Sequence, residues 1–145
     1  MKIAINTVID YKPKPDDKIA FGLLTTLFKN VDISIIELAR HISCGHAFFA
    51  QHKNERRAAK NFLAMDVLAV DIDEGWTVEE ALDDQFFANH AAIIYHTVSG
   101  TAERHRFHIV FQLLRTIIAA QKMTFAYTGL IKKFGGICSA DVIAN

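Results

Sequence analysis

The sequence predicts a mixed α/β (α+β) domain, a sheet containing antiparallel strands with helices packed on it. Apolar and β-branched runs of strand length, at Val67 to Ile72, Ala91 to Val98 and Phe107 to Leu113, alternate with segments of helical period. Two of those helical segments open with the Ser/Thr-x-x-Glu spacing of a capping box. The 145 residues, about half apolar and including eleven Phe, suffice for one core, so a single domain over 1–145 is expected.

Lys2 to Ile9 carries β-branched residues and reads as a first strand, closed by Lys12-Pro13-Lys14-Pro15, where proline removes backbone donors. Ile19 to Phe28 is apolar, and its Gly22 and paired threonines fit a buried helix or a strand, which periodicity alone does not separate. Ser34-Ile35-Ile36-Glu37 has capping-box spacing, and Ile35, Leu38, Ala39 and Ile42 recur at helical intervals up to Gly45, which predicts a short helix. Phe48 and Phe49 read as core rather than as platforms for bases. Thr77-Val78-Glu79-Glu80 repeats the capping device, with Ala81, Leu82, Phe86 and Phe87 as the apolar side of a second helix; Trp76 just before it reads as a packing residue.

Ala91 to Val98 and Phe107 to Leu113 read as two strands of an antiparallel hairpin, because Ser99-Gly100-Thr101-Ala102-Glu103-Arg104 between them is small and polar. Alternation puts Phe107, Ile109, Phe111 and Leu113 on one face and Arg106, His108, Val110 and Gln112 on the other. Ile117 to Phe134 reads as a helix, with Ile118, Met123, Phe125, Leu130 and Ile131 as core candidates and Lys132-Lys133 before Gly135-Gly136 as its end. The order strand, helix, strand, strand, helix from Val67 onward predicts a sheet with helices on one face, as in RNA-recognition-motif-like or ferredoxin-like folds.

Lys plus Arg equals Asp plus Glu at 16 each, so no overall basic field announces nucleic acid, and such a partner must meet a local patch. Cys44 and Cys138 lie far apart without zinc-ligand spacing, which predicts a reduced, cytoplasmic setting. No stretch approaches the roughly 20 apolar residues of a membrane span, so no membrane partner is expected.

The chemistry concentrates at Asp71-Ile72-Asp73. Residues i and i+2 of a strand share a face, so these two carboxylates project together from the end of an apolar strand. Alone, an Asp-x-Asp at a strand end is often a pair of solvated turn carboxylates. Here it joins Ser99-Gly100 with Arg106 and His108 on the hairpin, and Asp141 in the tail after Gly135-Gly136. Hard oxygen ligands suit magnesium or manganese in phosphoryl transfer, and a neighbouring Arg and His would hold a triphosphate. Lys53, Arg56, Arg57 and Lys60 form a dense basic stretch, readable as a solvated helix face or as a contact for template phosphates.

This arrangement resembles the archaeo-eukaryotic primase superfamily, the primase-polymerases, and within it the replication proteins of plasmids and mobile elements. The first motif of that family is similar to Asp71-Ile72-Asp73, and the line from Val70 to Leu82 looks like that subgroup over its length. The second motif, Ser-Gly and then a strand with a nucleotide-binding His, is similar to Ser99-Gly100 and Phe107-His108-Ile109-Val110. Tyr95, Thr97, Ser99, His105, Arg106 and Phe107 agree with the subgroup's Tyr-x-Thr-x-Ser and His-Arg-Phe-Arg, whereas His108 replaces the second Arg and is the residue typical of the wider superfamily. Asp141 resembles the third motif. The subgroup usually continues beyond this point, so a truncated catalytic core is expected.

The resemblance implies a DNA primase or polymerase, a nucleotidyltransferase acting on a single-stranded DNA template in plasmid or mobile-element replication. It implies Asp71, Asp73 and Asp141 as ligands of magnesium or manganese, Ser99, Arg106 and His108 as contacts for nucleoside triphosphates, and a helicase or accessory domain as a partner. Two alternatives stay open. One is a non-catalytic, RNA-recognition-motif-like module for nucleotides or single strands. The other is a rolling-circle nuclease using Tyr127, although His105 and His108, three apart, face opposite ways on a strand.

Overall fold

The computed structural model describes residues 1–11, 16–97, 100–101, 104–134 and 140–142, the last three by their backbone. It is a mixed α and β chain with antiparallel pairing. The chain divides into two compact units, Met1–Asp66 with Leu114–Lys122, and Val67–Leu113 with Met123–Asn145.

In the first unit, strand β1 (Lys2–Asn6) ends earlier than its β-branched composition predicts. The undecided segment is helix α1 (Lys18–Thr26), whose N-cap Asp17 accepts the Ala20 N–H at 2.9 Å. Strand β2 (Lys29–Asp32) is polar and escaped the pattern; Asn30 fixes it by donating to the His52 carbonyl at 2.8 Å and accepting the His52 N–H at 3.1 Å. Helix α2 (Ile35–Ser43) has the expected capping box, Ser34 accepting the Glu37 N–H while the Glu37 carboxylate accepts the Ser34 N–H. It ends where Gly45 takes φ +79°, a position at which a Cβ would run into the Asp10 carbonyl. Strand β3 (Ala47–Phe49) completes a sheet of order β2-β1-β3, all antiparallel. Strand β4 (Gln51–His52) pairs with the start of β5 (Phe62–Ile72) through Ala64 and Phe62. Ile3, Ala4, Ile5, Leu38, Phe48 and Phe49 are buried, so the two phenylalanines are core as read.

In the second unit β5 continues from Val67. The single helix expected after Thr77 is parted into α3 (Val78–Asp83) and α4 (Gln85–His90). Asp84 causes the break: its backbone is extended, and its carboxylate accepts the N–H groups of Phe86 and Phe87 at 2.9 and 3.1 Å. Strands β6 (Ala91–His96) and β7 (Phe107–Ile117) form the expected antiparallel hairpin. Helix α5 (Ala120–Phe134) begins three residues later than expected because β7 runs on to Ile117. Strand β8 (Ala140–Val142) was not foreseen; it pairs antiparallel with β5, which neighbours β7, itself beside β6.

Val70, Ile72, Ala81, Phe87, Phe107, Ile109 and Phe111 make the core of this unit, with Trp76, Phe86 and Leu130 packed against it. Val67, Ala69 and Val110 are buried as well, so the sheet is covered on both faces and alternation did not expose Val110. Two core candidates are corrected. Ile118 precedes α5 and Phe125 lies on its outer side; both are exposed, while Met123, Tyr127, Leu130 and Ile131 follow the inward i, i+4, i+7, i+8 spacing.

Candidate active site

Asp71 and Asp73 stand at the end of β5, and Arg106 and His108 at the start of β7 beside it. Arg106 Nε lies 3.0 Å from Asp73 Oδ1, and His108 Nε2 lies 3.2 Å from Asp71 Oδ1. Rising numbers on one strand meet falling numbers on the other, the order that antiparallel neighbours give. The two i, i+2 pairs thereby form two rungs across the strands, carboxylate to guanidinium and carboxylate to imidazole. All four side chains are between 20% and 29% exposed. This is the half-buried setting in which charge contacts are less screened than on an open surface.

Directly across the hairpin from His108 is Tyr95, whose hydroxyl lies 2.6 Å from His108 Nδ1 with the rings edge to face. Burial, and then the Asp71 charge, hold the Tyr95 phenol well above its ordinary range, so it remains a hydroxyl at neutral pH. Asp71 Oδ1 is buried and makes no hydrogen bond, although the imidazole faces it at ion-pair distance. A desolvated carboxylate oxygen with unmet acceptor capacity, beside a second carboxylate, fits a hard divalent cation.

The register of β8 sets residue Asp141 opposite Asp71, bringing the first and third expected ligands to one position of the sheet. Of Asp141 only the backbone is described, and Ser99 lies outside the described residues. Among the described residues no group of three or more His, Cys, Asp or Glu is placed to hold a metal ion. Gly100, next to Ser99, donates its N–H to the Thr97 carbonyl at 3.0 Å. A Cβ on Gly100 would meet the Arg106 carbonyl at 2.9 Å, so glycine is required where this loop closes on β7.

Beside the acids is a cavity of about 460 Å³ lined by Asp73, Glu74, Trp76, Glu80, Arg104 and His105 among others. Arg104 pairs with Glu74 at 3.1 Å, and the Glu80 carboxylate accepts the Thr77 N–H at 2.8 Å as part of the predicted capping box. Trp76 packs perpendicular to Phe87, as its packing role predicts, and also lines this space. Sequence reasoning assigned no function to Glu74, Glu80, Arg104 or this cavity. The available signal was their position flanking the first and second motifs.

The basic residues belong to the first unit. They occupy two short 3-10 turns, Lys53–Glu55 and Ala59–Asn61, and their flanks, rather than a helix face. Arg56 and Lys60 are exposed, whereas the Arg57 guanidinium lies over the Phe49 ring, 4.0 Å from its centroid. His41 Nδ1 and His46 Nδ1, also unassigned, face each other at 2.9 Å. In the second unit Tyr127 is 4% exposed, and burial pushes its phenol up to about 12, so the tyrosine-nuclease alternative gains no support. No described helix is long and apolar enough to cross a membrane. Comparison with models of known families, with curated proteins and with solved structures finds no match.

Proposed function

We propose that the chain is a template-dependent nucleotidyltransferase of the primase-polymerase kind, adding nucleotides on single-stranded DNA. The observation that carries this reading is the four-residue cluster of Asp71, Asp73, Arg106 and His108, with two carboxylates facing a guanidinium and an imidazole on adjacent strand ends. Asp71 and Asp73, with Asp141 at the facing register position, would hold magnesium or manganese. Such an ion, when bound, supplies charge neutralisation on the phosphates and lowers the pKa of the attacking hydroxyl. Arg106 presents a fork of N–H donors to phosphate oxygens, and His108 adds a second donor two residues along the same face. Ser99 belongs to the same reading as a triphosphate contact. Arg56, Arg57 and Lys60 would follow template phosphates, and a helicase or accessory domain is the partner sought.

The test is primer extension on single-stranded template with magnesium or manganese, using wild type, Asp71→Asn and Asp73→Asn at matched circular dichroism. Loss of product in both variants, with manganese-dependent triphosphate binding lost by calorimetry, is the expected result. Normal product from either variant overturns the assignment. A second reading rests on the fact that both carboxylates already face protein nitrogens, Arg106 Nε at 3.0 Å and His108 Nε2 at 3.2 Å. In that reading the rungs are structural and the domain binds nucleotide or single strand without turnover, so binding is indifferent to chelator and sensitive to salt.

A further inference from the structure

The cavity beside Asp73 is chemically unlike the phosphate-binding rungs. It has three carboxylates, Asp73, Glu74 and Glu80, against one guanidinium, Arg104, so its field disfavours a phosphate. Each carboxylate is anchored: Asp73 by Arg106 at 3.0 Å, Glu74 by Arg104 at 3.1 Å, and Glu80 by the Thr77 N–H at 2.8 Å. A carboxylate with one such partner keeps further acceptor sites, which suit hydroxyl and amino N–H donors. Trp76 supplies an aromatic wall that its packing on Phe87 holds in place. His105 adds a buried Nδ1 that no hydrogen bond satisfies. The volume, about 460 Å³, lies in the range of roughly 300–1,000 Å³ typical of small-molecule sites.

We propose that this cavity is a nucleoside pocket, taking the uncharged sugar and base of a nucleotide with the base on Trp76 and the hydroxyls on the carboxylate rim. This rests on the proposed nucleotidyltransferase reading and adds the second half of its substrate. The triphosphate lies along Arg106 and His108, and the nucleoside lies on the Trp76 side of Asp73. An aromatic wall is indifferent to which base it meets, because every base has a π-face; selection between bases then falls to the template. Carboxylates as acceptors for sugar hydroxyls repeat a known solution to ribose recognition.

Trp76 is the one tryptophan of the chain, so the pocket carries its own reporter. The experiment titrates adenosine and cytidine into the full chain without metal and follows Trp76 fluorescence, with sodium tripolyphosphate as the charged control. Saturable quenching by both nucleosides, unchanged by chelator and not competed by tripolyphosphate, is expected. By calorimetry, Trp76→Ala weakens nucleoside binding by roughly tenfold or more. Because Trp76 also packs in the core, Glu80→Gln and His105→Ala serve as variants that leave the aromatic cluster intact, and each should weaken binding. No quenching by either nucleoside, or displacement of nucleoside by tripolyphosphate, overturns the pocket even if metal-dependent primer extension succeeds. Quenching that meets all these conditions while extension fails sustains the pocket and overturns the polymerase reading instead.

Discussion

At the scale of single residues, His108 is the hinge of the site because it has two partners and two nitrogens. A proton on Nε2, facing Asp71, leaves Nδ1 to accept from the Tyr95 hydroxyl. Tyr95 thus fixes which nitrogen carries the proton and how the ring is turned. Tyr95→Phe keeps the ring and removes the donor. Such a bond is worth about 1 kcal/mol, so triphosphate binding should weaken by roughly fivefold. Nitrogen NMR of the His108 imidazole should show a mixed tautomer in place of a single one. An unchanged tautomer together with unchanged affinity would refute the positioning role. Asp71 with Asp73, and Arg106 with His108, were legible in the sequence because a strand repeats every two residues. Tyr95 was visible as a motif residue but not as the partner of His108. That pairing depends on hairpin register, which runs unbroken from His96 opposite Phe107 to Ile93 opposite Val110, and alternation carries no information about register.

At the scale of elements, local chemistry at helix starts was legible and long-range pairing was not. Ser34 with Glu37 and Thr77 with Glu80 form the two capping boxes that their spacing predicted, because the device is complete within four residues. Ser34→Ala and Thr77→Ala should each lower stability by about 1 kcal/mol, seen as a lower urea midpoint with unchanged slope. Asp84→Ala removes an acceptor from two N–H groups and should destabilise at least as much as either. A smaller effect than Ser34→Ala would show that α4 does not depend on this cap. The break at Asp84 was hidden because the apolar residues Ala81, Leu82, Phe86 and Phe87 keep helical spacing across it. Strands β2 and β8 were hidden for another reason. Lys29–Asp32 and Ala140–Val142 are too short for alternation to mark them, and only their pairing with β1 and β5 makes them strands.

At the scale of the whole molecule, length and composition predicted enough apolar material for a core, but not that β5 and β7 would each contribute to two compact units. Those units carry buried titratable groups of opposite kind, which sets an expectation at each end of the pH range. In the first unit, burial holds the His52 imidazole below its ordinary value; the Arg57 charge acts the same way, while the hydrogen bond to the Ala50 carbonyl opposes. As pH falls below about 6.5 the unfolded chain takes up a proton that the folded unit refuses, so folding stability is lost toward acid. In the second unit, burial pushes the Tyr127 phenol up to about 12 against a hydrogen bond with the Ala69 backbone, and Tyr95 shifts in the same direction. As pH rises above about 10 the unfolded chain releases protons that the folded unit keeps, so stability is lost toward alkali. Urea unfolding across pH tests both, with Trp76 fluorescence reporting the second unit and the amides of Ile3 to Ile5 reporting the first. His52→Phe, which preserves stacking on Phe49, should flatten the acid slope of the first unit and leave the alkaline slope of the second intact. Tyr127→Phe should do the reverse. An acid slope unchanged by His52→Phe would mean that carboxylates, not this imidazole, govern the acid limit of the first unit.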